Sequence, residues 1–116
     1  MSVVDVVNRY YEAWNAEVGD FGDVPLAEDL HFSGPMHTLE GADSFRSHAA
    51  RSRASLVSCS VREQFVKGDR VCSIVDWELG PPVSRLTTTE IIEVRDGRIV
   101  SGELIFDPER FRDGEH

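Results

Sequence analysis

Several features that mark particular protein classes are scarce in this sequence. Basic residues are outnumbered, with 12 Lys and Arg against 21 Asp and Glu and a formal net charge of -9, so nucleic acid and anionic membrane surfaces are unfavourable partners. No apolar run approaches the roughly 18 residues of a membrane span, and the first residues lack the cationic and apolar regions of a secretory signal. We therefore predict a cytoplasmic protein that binds neither nucleic acid nor membrane.

Cysteines, repeats and linkers are scarce as well. Cys59 and Cys72 stand singly in strand-like segments and not in a CxxC motif or a Cys/His cluster, which gives no support for a metal site. We expect two reduced, buried thiols. Because no repeat, low-complexity tract or Pro/Ser-rich linker divides the 116 residues, the sequence predicts a single domain over 1–116.

What the sequence does contain is a change of hydrophobic period. Apolar residues at three- and four-residue spacing predict an amphipathic helix over 2–15 with Ser2 as N-cap, then a short helical piece, and a helix over 42–53 with His48 on its inner face. From Leu56 onward the period is two, which predicts strands over 56–67, 70–79, 84–95 and 98–107. The fold class is α+β, with a curved antiparallel sheet around about three N-terminal helices.

Strand register determines which side chains face the helices, because side chains alternate along a strand and cross-strand partners share a face. We place Asp76 and Glu90 on the helix face, where the other members are mostly apolar: Phe65, Ile74, Thr88, Leu104 and Phe106. The opposite face then carries Trp77, Ile91 and Ile105. That face is too apolar for a fully solvated surface, so we predict a homodimer through it.

Four short motifs occur in a characteristic order: Arg9–Trp14, Phe32–Pro35, Asp96–Ile99 and Ile105–Phe111. In this order they resemble the nuclear transport factor 2-like superfamily, the cone-shaped α+β fold of ketosteroid isomerases, limonene epoxide hydrolases and SnoaL-like polyketide cyclases. The resemblance implies a deep pocket between the helices and the concave sheet, but no single activity. The expected pocket-lining residues are Trp14, Phe32, Phe65, Ile74, Thr88, Leu104 and Phe106.

The resemblance to ketosteroid isomerases implies an acid–base site. Those enzymes remove a proton next to a carbonyl with a carboxylate, and they stabilise the enolate with a tyrosine and a protonated aspartic acid. Tyr10 falls at the position of the tyrosine and Glu90 near that of the acid, but Gly34 holds the place of the base. His37 or Asp76 then becomes the candidate base. Alternatively, Tyr10 has a solvated hydroxyl, Glu90 points to the other face, and His37 is an exposed loop residue.

The resemblance to limonene epoxide hydrolases is carried by Phe106–Phe111 and by Asp76. Asp76 falls where one aspartate of their catalytic Asp-Arg-Asp arrangement lies, but Ile74 and Leu104 stand at the positions of the arginine and the second aspartate. Activation of water needs that second group, so this activity is the least expected. Asp76 is then either a pocket carboxylate or a group hydrogen-bonded within the protein. In the first case Asp76 and Glu90 would share an apolar pocket, where both cannot ionise cheaply, so one of the two carboxyl groups would have a raised pKa.

The sequence therefore predicts a small-molecule pocket protein of the SnoaL-like group that acts by proton transfer on an apolar carbonyl compound, as an isomerase or an aldol-type cyclase. The predicted catalytic residues are Asp76 or His37 as base, and Tyr10 with Glu90 as acid or oxyanion donors. No cofactor or metal is expected. The alternative is a non-catalytic ligand-binding or dimerisation module whose polar groups only orient a ligand.

Overall fold

The helices lie on one face of a curved six-stranded sheet, as seen in a computed structural model that describes residues 2–16, 21–81 and 83–109. The elements are α1 (Val3–Asn15), a single 3-10 turn (Phe21–Asp23), β1 (Leu26–Ser33), β2 (Thr38–Glu40), α2 (Ala42–Arg53), β3 (Leu56–Lys67), β4 (Arg70–Leu79), β5 (Arg85–Arg95) and β6 (Arg98–Ile105). The described residues thus contain two α-helices, and the predicted third helix is not found there beyond the 3-10 turn. No helix among them has the length and hydropathy of a membrane span.

The sheet has the strand order β2-β1-β6-β5-β4-β3. The predicted meander of β3 to β6 is confirmed, and its tight turns use left-handed backbone at Gly68, Asp96 and Gly97. The prediction of a purely antiparallel sheet is wrong, because β1 pairs parallel with β6. A parallel neighbour requires a long crossover, and α2 with four strands separates β1 from β6 along the chain. The end of the last sequence motif, at Arg110 and Phe111, lies outside the described residues.

Helix α1 is fixed at both ends. Ser2 and Asp5 form a reciprocal capping box at its start, which confirms the predicted N-cap. At its end the Asn15 side chain donates to the Cys59 carbonyl at 2.9 Å and accepts from the Cys59 N–H at 2.8 Å. These bonds attach α1 to β3, and its buried face, which includes Tyr10 and Trp14, packs toward the sheet.

Strand β4 has the opposite orientation to the one predicted. Its register pairs Asp76 with Thr87 and Trp77 with Leu86 on β5. Leu86 belongs to the helix face, so Trp77 points toward the helices while Ile74 and Asp76 point away from them. The predictions that Asp76 and Ile74 face the pocket, and that Trp77 lies on the outer face, are therefore wrong.

Strand β3 contains a bulge that explains a further error. Near the hairpin turn Phe65 pairs with Cys72, on the outer side, and Phe65 is 55% exposed. Beyond the irregularity between Val61 and Glu63 the register shifts by one, so that Cys59 pairs with Trp77 and is buried. Phe65 therefore does not line the pocket as predicted.

Candidate functional site

A cavity of about 830 Å³ lies between α1, α2 and the helix face of the sheet. Its wall is mostly apolar and aromatic. Of the residues expected to line a pocket, five do so: Trp14, Phe32, Thr88, Leu104 and Phe106. Two do not, since Phe65 and Ile74 lie on the outer face. A large apolar cavity with few polar groups is the usual form of a small-molecule site.

Glu90 is the central polar group of the cavity wall. It lies on β5, is 1% exposed, and accepts one hydrogen bond at each carboxyl oxygen. The Tyr10 hydroxyl donates at 2.9 Å and the Tyr11 hydroxyl at 2.7 Å. Tyr10 and Glu90 line the cavity, whereas Tyr11 holds the carboxyl group from behind. The predicted meeting of Tyr10 with Glu90 is confirmed, whereas the sequence analysis assigned no role to Tyr11.

Burial controls the ionisation of this cluster. Loss of solvation raises the pKa of Glu90 to about 7, although the hydrogen bonds from Tyr11 and Tyr10 act in the opposite direction. Burial, together with the nearby Glu90 charge, raises the pKa of both tyrosines far above the ordinary value, so they remain hydrogen-bond donors. The Glu90 carboxyl group can therefore either give or take a proton near neutral pH.

Both tryptophans of the chain, Trp14 and Trp77, line the cavity. Their rings are perpendicular with centroids 5.5 Å apart, and the Trp77 indole N–H donates to the Thr88 hydroxyl at 2.7 Å. The buried indole N–H of Trp14 makes no hydrogen bond of good geometry among the described residues, although it interacts with the neighbouring Tyr10 hydroxyl. A buried donor of this kind in a cavity wall is a suitable partner for a ligand oxygen.

Two histidines form a second polar group in the wall. His37, in the connection from β1 to β2, packs edge-on against His48 of α2, with ring centroids 4.6 Å apart. His48 Nε2 lies 3.3 Å from the Ser52 hydroxyl, and all three side chains line the cavity. His37 was predicted as a site residue, whereas His48 was assigned only to the inner face of α2. Its spacing of three residues from the buried Phe45 was the signal that could have identified it.

Asp76 lies outside the cavity. Its carboxylate accepts from the Arg62 guanidinium at 2.7 and 3.1 Å and from the Thr87 hydroxyl at 2.7 Å. The hydrogen bond from Thr87, and to a smaller extent that from Arg62, lowers the pKa of Asp76. This surface carboxylate therefore stays ionised at neutral pH. The residues at the catalytic positions of the epoxide hydrolases, Asp76, Ile74 and Leu104, therefore do not meet in one site.

The described residues contain no group of three or more His, Cys, Asp and Glu side chains arranged to hold a metal ion. The two thiols are separate. Cys59 is buried, and burial raises the pKa of its thiol to about 11, while Cys72 is half-buried on the outer face. Neither cysteine contributes a reactive thiolate to the cavity.

Comparisons with known proteins agree on the fold. A family model described as a SnoaL-like domain matches residues 7–102. An NTF2-like protein of unknown function from Cytophaga hutchinsonii is 24% identical, with a TM-score of 0.85 over 97% of this chain and 96% of that one. An LEH-like epoxide hydrolase of M. tuberculosis is 20% identical, with a TM-score of 0.78 over 97% of this chain and 83% of that one. A candidate polyketide cyclase of Sinorhizobium meliloti is also 20% identical, with a TM-score of 0.77 over 90% of this chain and 99% of that one. No curated protein sequence matches the chain. Likeness at these identities shows the fold alone.

Proposed function

We propose that this chain, which belongs to the SnoaL-like domain family, binds a small apolar carbonyl compound and transfers a proton on it, as an isomerase or an aldol-type cyclase. The observation that carries the proposal is Glu90, a fully buried carboxyl group held by two tyrosine hydroxyls in the wall of an apolar cavity. A carboxyl group whose pKa lies near 7 is suited to general acid–base work at neutral pH.

The acid side of the reaction lies at Tyr10 and Glu90. A carbonyl oxygen placed beside them would accept a hydrogen bond from the Tyr10 hydroxyl, whose proton is released for it when protonated Glu90 donates to the tyrosine oxygen, and the indole N–H of Trp14 is a further donor on the same wall. Donors that are fixed before the reaction stabilise the negative charge of an enolate without reorganisation, and a dry cavity strengthens them. Proton transfer of this kind requires no cofactor.

The base in this proposal is an imidazole. With Asp76 outside the cavity, His37 is the remaining predicted base on its wall, and His48 stands directly against it. Burial, followed by the neighbouring His37 and Arg51, lowers the pKa of His48, so its ring is neutral at pH 7 and can accept a proton. Acid and base then come from different elements, β5 for the acid and α2 with its preceding hairpin for the base.

The test combines binding with hydrogen exchange. Cyclic ketones and diketones are titrated against the protein, with quenching of Trp14 and Trp77 as the binding signal, and exchange of their α-hydrogens for deuterium is followed by NMR. We expect Glu90→Gln to keep affinity within about threefold and to slow exchange by about a hundredfold or more. The matched control is Glu12→Gln, at an exposed position of α1, which should exchange at the wild-type rate. Equal rates in Glu90→Gln and wild type would contradict the proposal.

A non-catalytic ligand-binding module is the second candidate. The observation that favours it is that both oxygens of Glu90 already accept hydrogen bonds from tyrosines, so the carboxyl group needs no substrate to satisfy it. The apolar wall would then supply the affinity and the polar groups would orient the ligand. Ketones that quench the tryptophans of the wild-type protein without any exchange of their α-hydrogens would select this function.

For assembly, we propose a homodimer through the outer face of the sheet. With Trp77 turned inward, the apolar residues of that face are Ile74, Ile91 and Ile105, with Phe65 at the β3 side. Phe65 and Ile105 are 55% and 47% exposed in the single chain. Apolar side chains grouped on one sheet face are typical of a self-complementary interface.

A further inference from the structure

Three polar side chains lie side by side across the helix face of the sheet. The register pairs Gln64 of β3 with Ser73 of β4, and Ser73 in turn with Glu90 of β5, so the three side chains point to the same face. Ser73 and Glu90 are fully buried, whereas Gln64 is half-buried on the edge strand. Of the three, Glu90 alone lines the cavity. These side chains therefore lead from the cavity wall toward the edge of the sheet.

Helix α1 joins the three side chains into one series of hydrogen bonds. Its Asn8 and Tyr11 are three residues apart and share a face of the helix. The Gln64 amide donates to Asn8 Oδ1 at 3.1 Å and to the Ser73 hydroxyl at 3.2 Å. The Ser73 hydroxyl interacts with the Tyr11 hydroxyl, and Tyr11 donates to Glu90 Oε1 at 2.7 Å. We call Gln64, Ser73 and Tyr11 the donor row, which ends on Glu90.

The chemistry of the amide sets the direction of the donor row. An amide nitrogen donates hydrogen bonds and does not accept them, so the Ser73 oxygen accepts from Gln64 and its own hydrogen is left for Tyr11. Tyr11 then gives its hydrogen to Glu90 Oε1. Hydrogen bonds that run in one direction polarise one another, which agrees with the shorter bond to Glu90 from Tyr11, 2.7 Å, than from Tyr10, 2.9 Å. Oε1 is thus held as an acceptor.

We propose that Gln64, Ser73 and Tyr11 are positioning residues that keep the proton of Glu90 on Oε2, the oxygen that is bonded to Tyr10 at the cavity wall. A proton on Oε1 would face the hydrogen of Tyr11 and would require the whole donor row to reverse, which the Gln64 amide nitrogen opposes. From Oε2 the proton is donated to the Tyr10 oxygen, which frees the Tyr10 hydrogen for the cavity. The value of this for catalysis rests on the proposed function, in which a carbonyl oxygen accepts that hydrogen.

The titratable groups around Glu90 keep their protons while it titrates. In the described part of the chain these are Tyr10 and Tyr11 of α1 and Cys59 of β3, and the cross-strand neighbours of Glu90 on β4 and β6 are uncharged. Burial raises the pKa of the Cys59 thiol to about 11 and the pKa of both tyrosines far above the ordinary value. A change in the Glu90 titration therefore reports on its hydrogen bonds.

The first test locates the proton by infrared spectroscopy of the ligand-free protein. The C=O band of protonated Glu90 is identified by its loss in Glu90→Gln. With the proton on Oε2, the C=O oxygen is Oε1, whose hydrogen bond comes from Tyr11. Since a hydrogen bond lowers the C=O frequency, Tyr11→Phe should shift the band to a higher frequency, and Tyr10→Phe should shift it less. The opposite order of the two shifts would overturn the proposal.

The second test reverses the donor row and follows the same band against pH. Gln64→Glu replaces a donor by an acceptor of nearly the same shape, so Ser73 turns toward it and Oε1 loses its donor; we expect the Glu90 pKa to rise by about two units. Ser73→Ala interrupts the row and should raise the pKa by about one unit. Gln64→Leu, at a half-buried position, removes the first donor without adding a charge and should shift the pKa in the same direction.

The matched control is Asn8→Asp. It also adds one negative charge beside Gln64, but it leaves an oxygen as acceptor for the Gln64 amide, so the direction of the donor row persists. Because Asn8 is exposed, the Glu90 pKa should rise by less than about 0.5 unit. Equal shifts in Gln64→Glu and Asn8→Asp would overturn the proposal, as would an unchanged pKa in Ser73→Ala and Gln64→Leu. Neither test needs a ligand, so the exchange assay with Glu90→Gln decides the proposed function separately.

Discussion

Replacement of Glu90 by glutamine should change how the stability of the protein depends on pH. The Glu90 pKa is raised from 4.5 to about 7 in the folded protein, first of all by burial. The fold therefore favours the protonated carboxyl group. Its contribution to the free energy of unfolding is fully present below the unfolded pKa of 4.5, is lost as the pH rises through the folded pKa of about 7, and stays lost above it.

The size of this contribution follows from the shift. A difference of roughly 2.5 pKa units corresponds to about 3 kcal/mol, most of which is lost between about pH 5 and about pH 8. Glutamine is neutral throughout this range and has nearly the shape of protonated glutamic acid. It can accept a hydrogen bond from one tyrosine hydroxyl and donate to the other, so we expect Glu90→Gln to fold. The stability of wild type relative to Glu90→Gln should then fall by about 3 kcal/mol as the pH rises.

Urea unfolding at several pH values, followed by the fluorescence of Trp14 and Trp77, measures this difference. The difference between the unfolding free energies of the two proteins cancels the contribution of His48, which both proteins share. Burial lowers the pKa of His48, and its titration would otherwise overlap that of Glu90. Glu12→Gln, at an exposed position of α1, controls for the loss of one carboxylate. Parallel stability curves for wild type and Glu90→Gln from about pH 5 to about pH 8 would refute the reasoning, because Glu90 would then be ionised throughout.

Three further substitutions test other parts of the structure. Gly102→Ala should destabilise the fold by about 1 to 3 kcal/mol in urea unfolding and weaken ligand binding, because its Cβ would overlap the Phe32 ring in the cavity wall. Gly80→Ala, with open space around its Cβ, is the control for stability. Asp76→Asn should leave ligand affinity and α-hydrogen exchange at wild-type values, since this carboxylate faces away from the cavity; a loss of exchange with the fold intact would contradict that placement. Ile91→Lys should convert a dimer into a monomer in light scattering, whereas an unchanged mass would exclude the outer face as the interface.

Much of the fold could be predicted because its signals are local. The alternation of apolar residues from Leu56 onward and the glycine turns gave strand bounds that agree with the structure to within a residue or two. Ser2 with Asp5 marked the start of α1 in the same way. Tyr10 and Glu90 lie 80 residues apart in the sequence and meet at 2.9 Å, and their meeting was predicted from family resemblance and not from any local pattern.

The orientation of β4 was predicted wrongly because Asp76 was placed on the helix face together with Glu90, against the composition of the strand itself. The two-residue turn after Lys67 correctly pairs Phe65 with Cys72, but it does not decide which face this pair occupies. That choice depends on the β4–β5 connection and on the β3 bulge, and a one-residue shift in either one reverses the whole strand. The composition of β4 itself favours the observed orientation, since its inward face carries Val71, Val75, Trp77 and Leu79, whereas its outward face carries the charged Arg70, Asp76 and Glu78 beside Cys72 and Ile74.

The reversal of β4 also changes the chemistry that the cavity supports. With Asp76 inside, two carboxyl groups would share the cavity and their mutual repulsion would separate an acid from a base. With Asp76 outside, the described hydrogen bonds to Glu90 come from the two tyrosines. The base of the proposed reaction must then be a different kind of group from the acid, namely the His48 imidazole. Because burial lowers the His48 pKa below 6.5 while the Glu90 pKa is about 7, neutral imidazole and protonated carboxyl group coexist between those two pKa values. A proton-transfer enzyme built on this pair therefore loses activity as the pH rises through about 7, where Glu90 ionises.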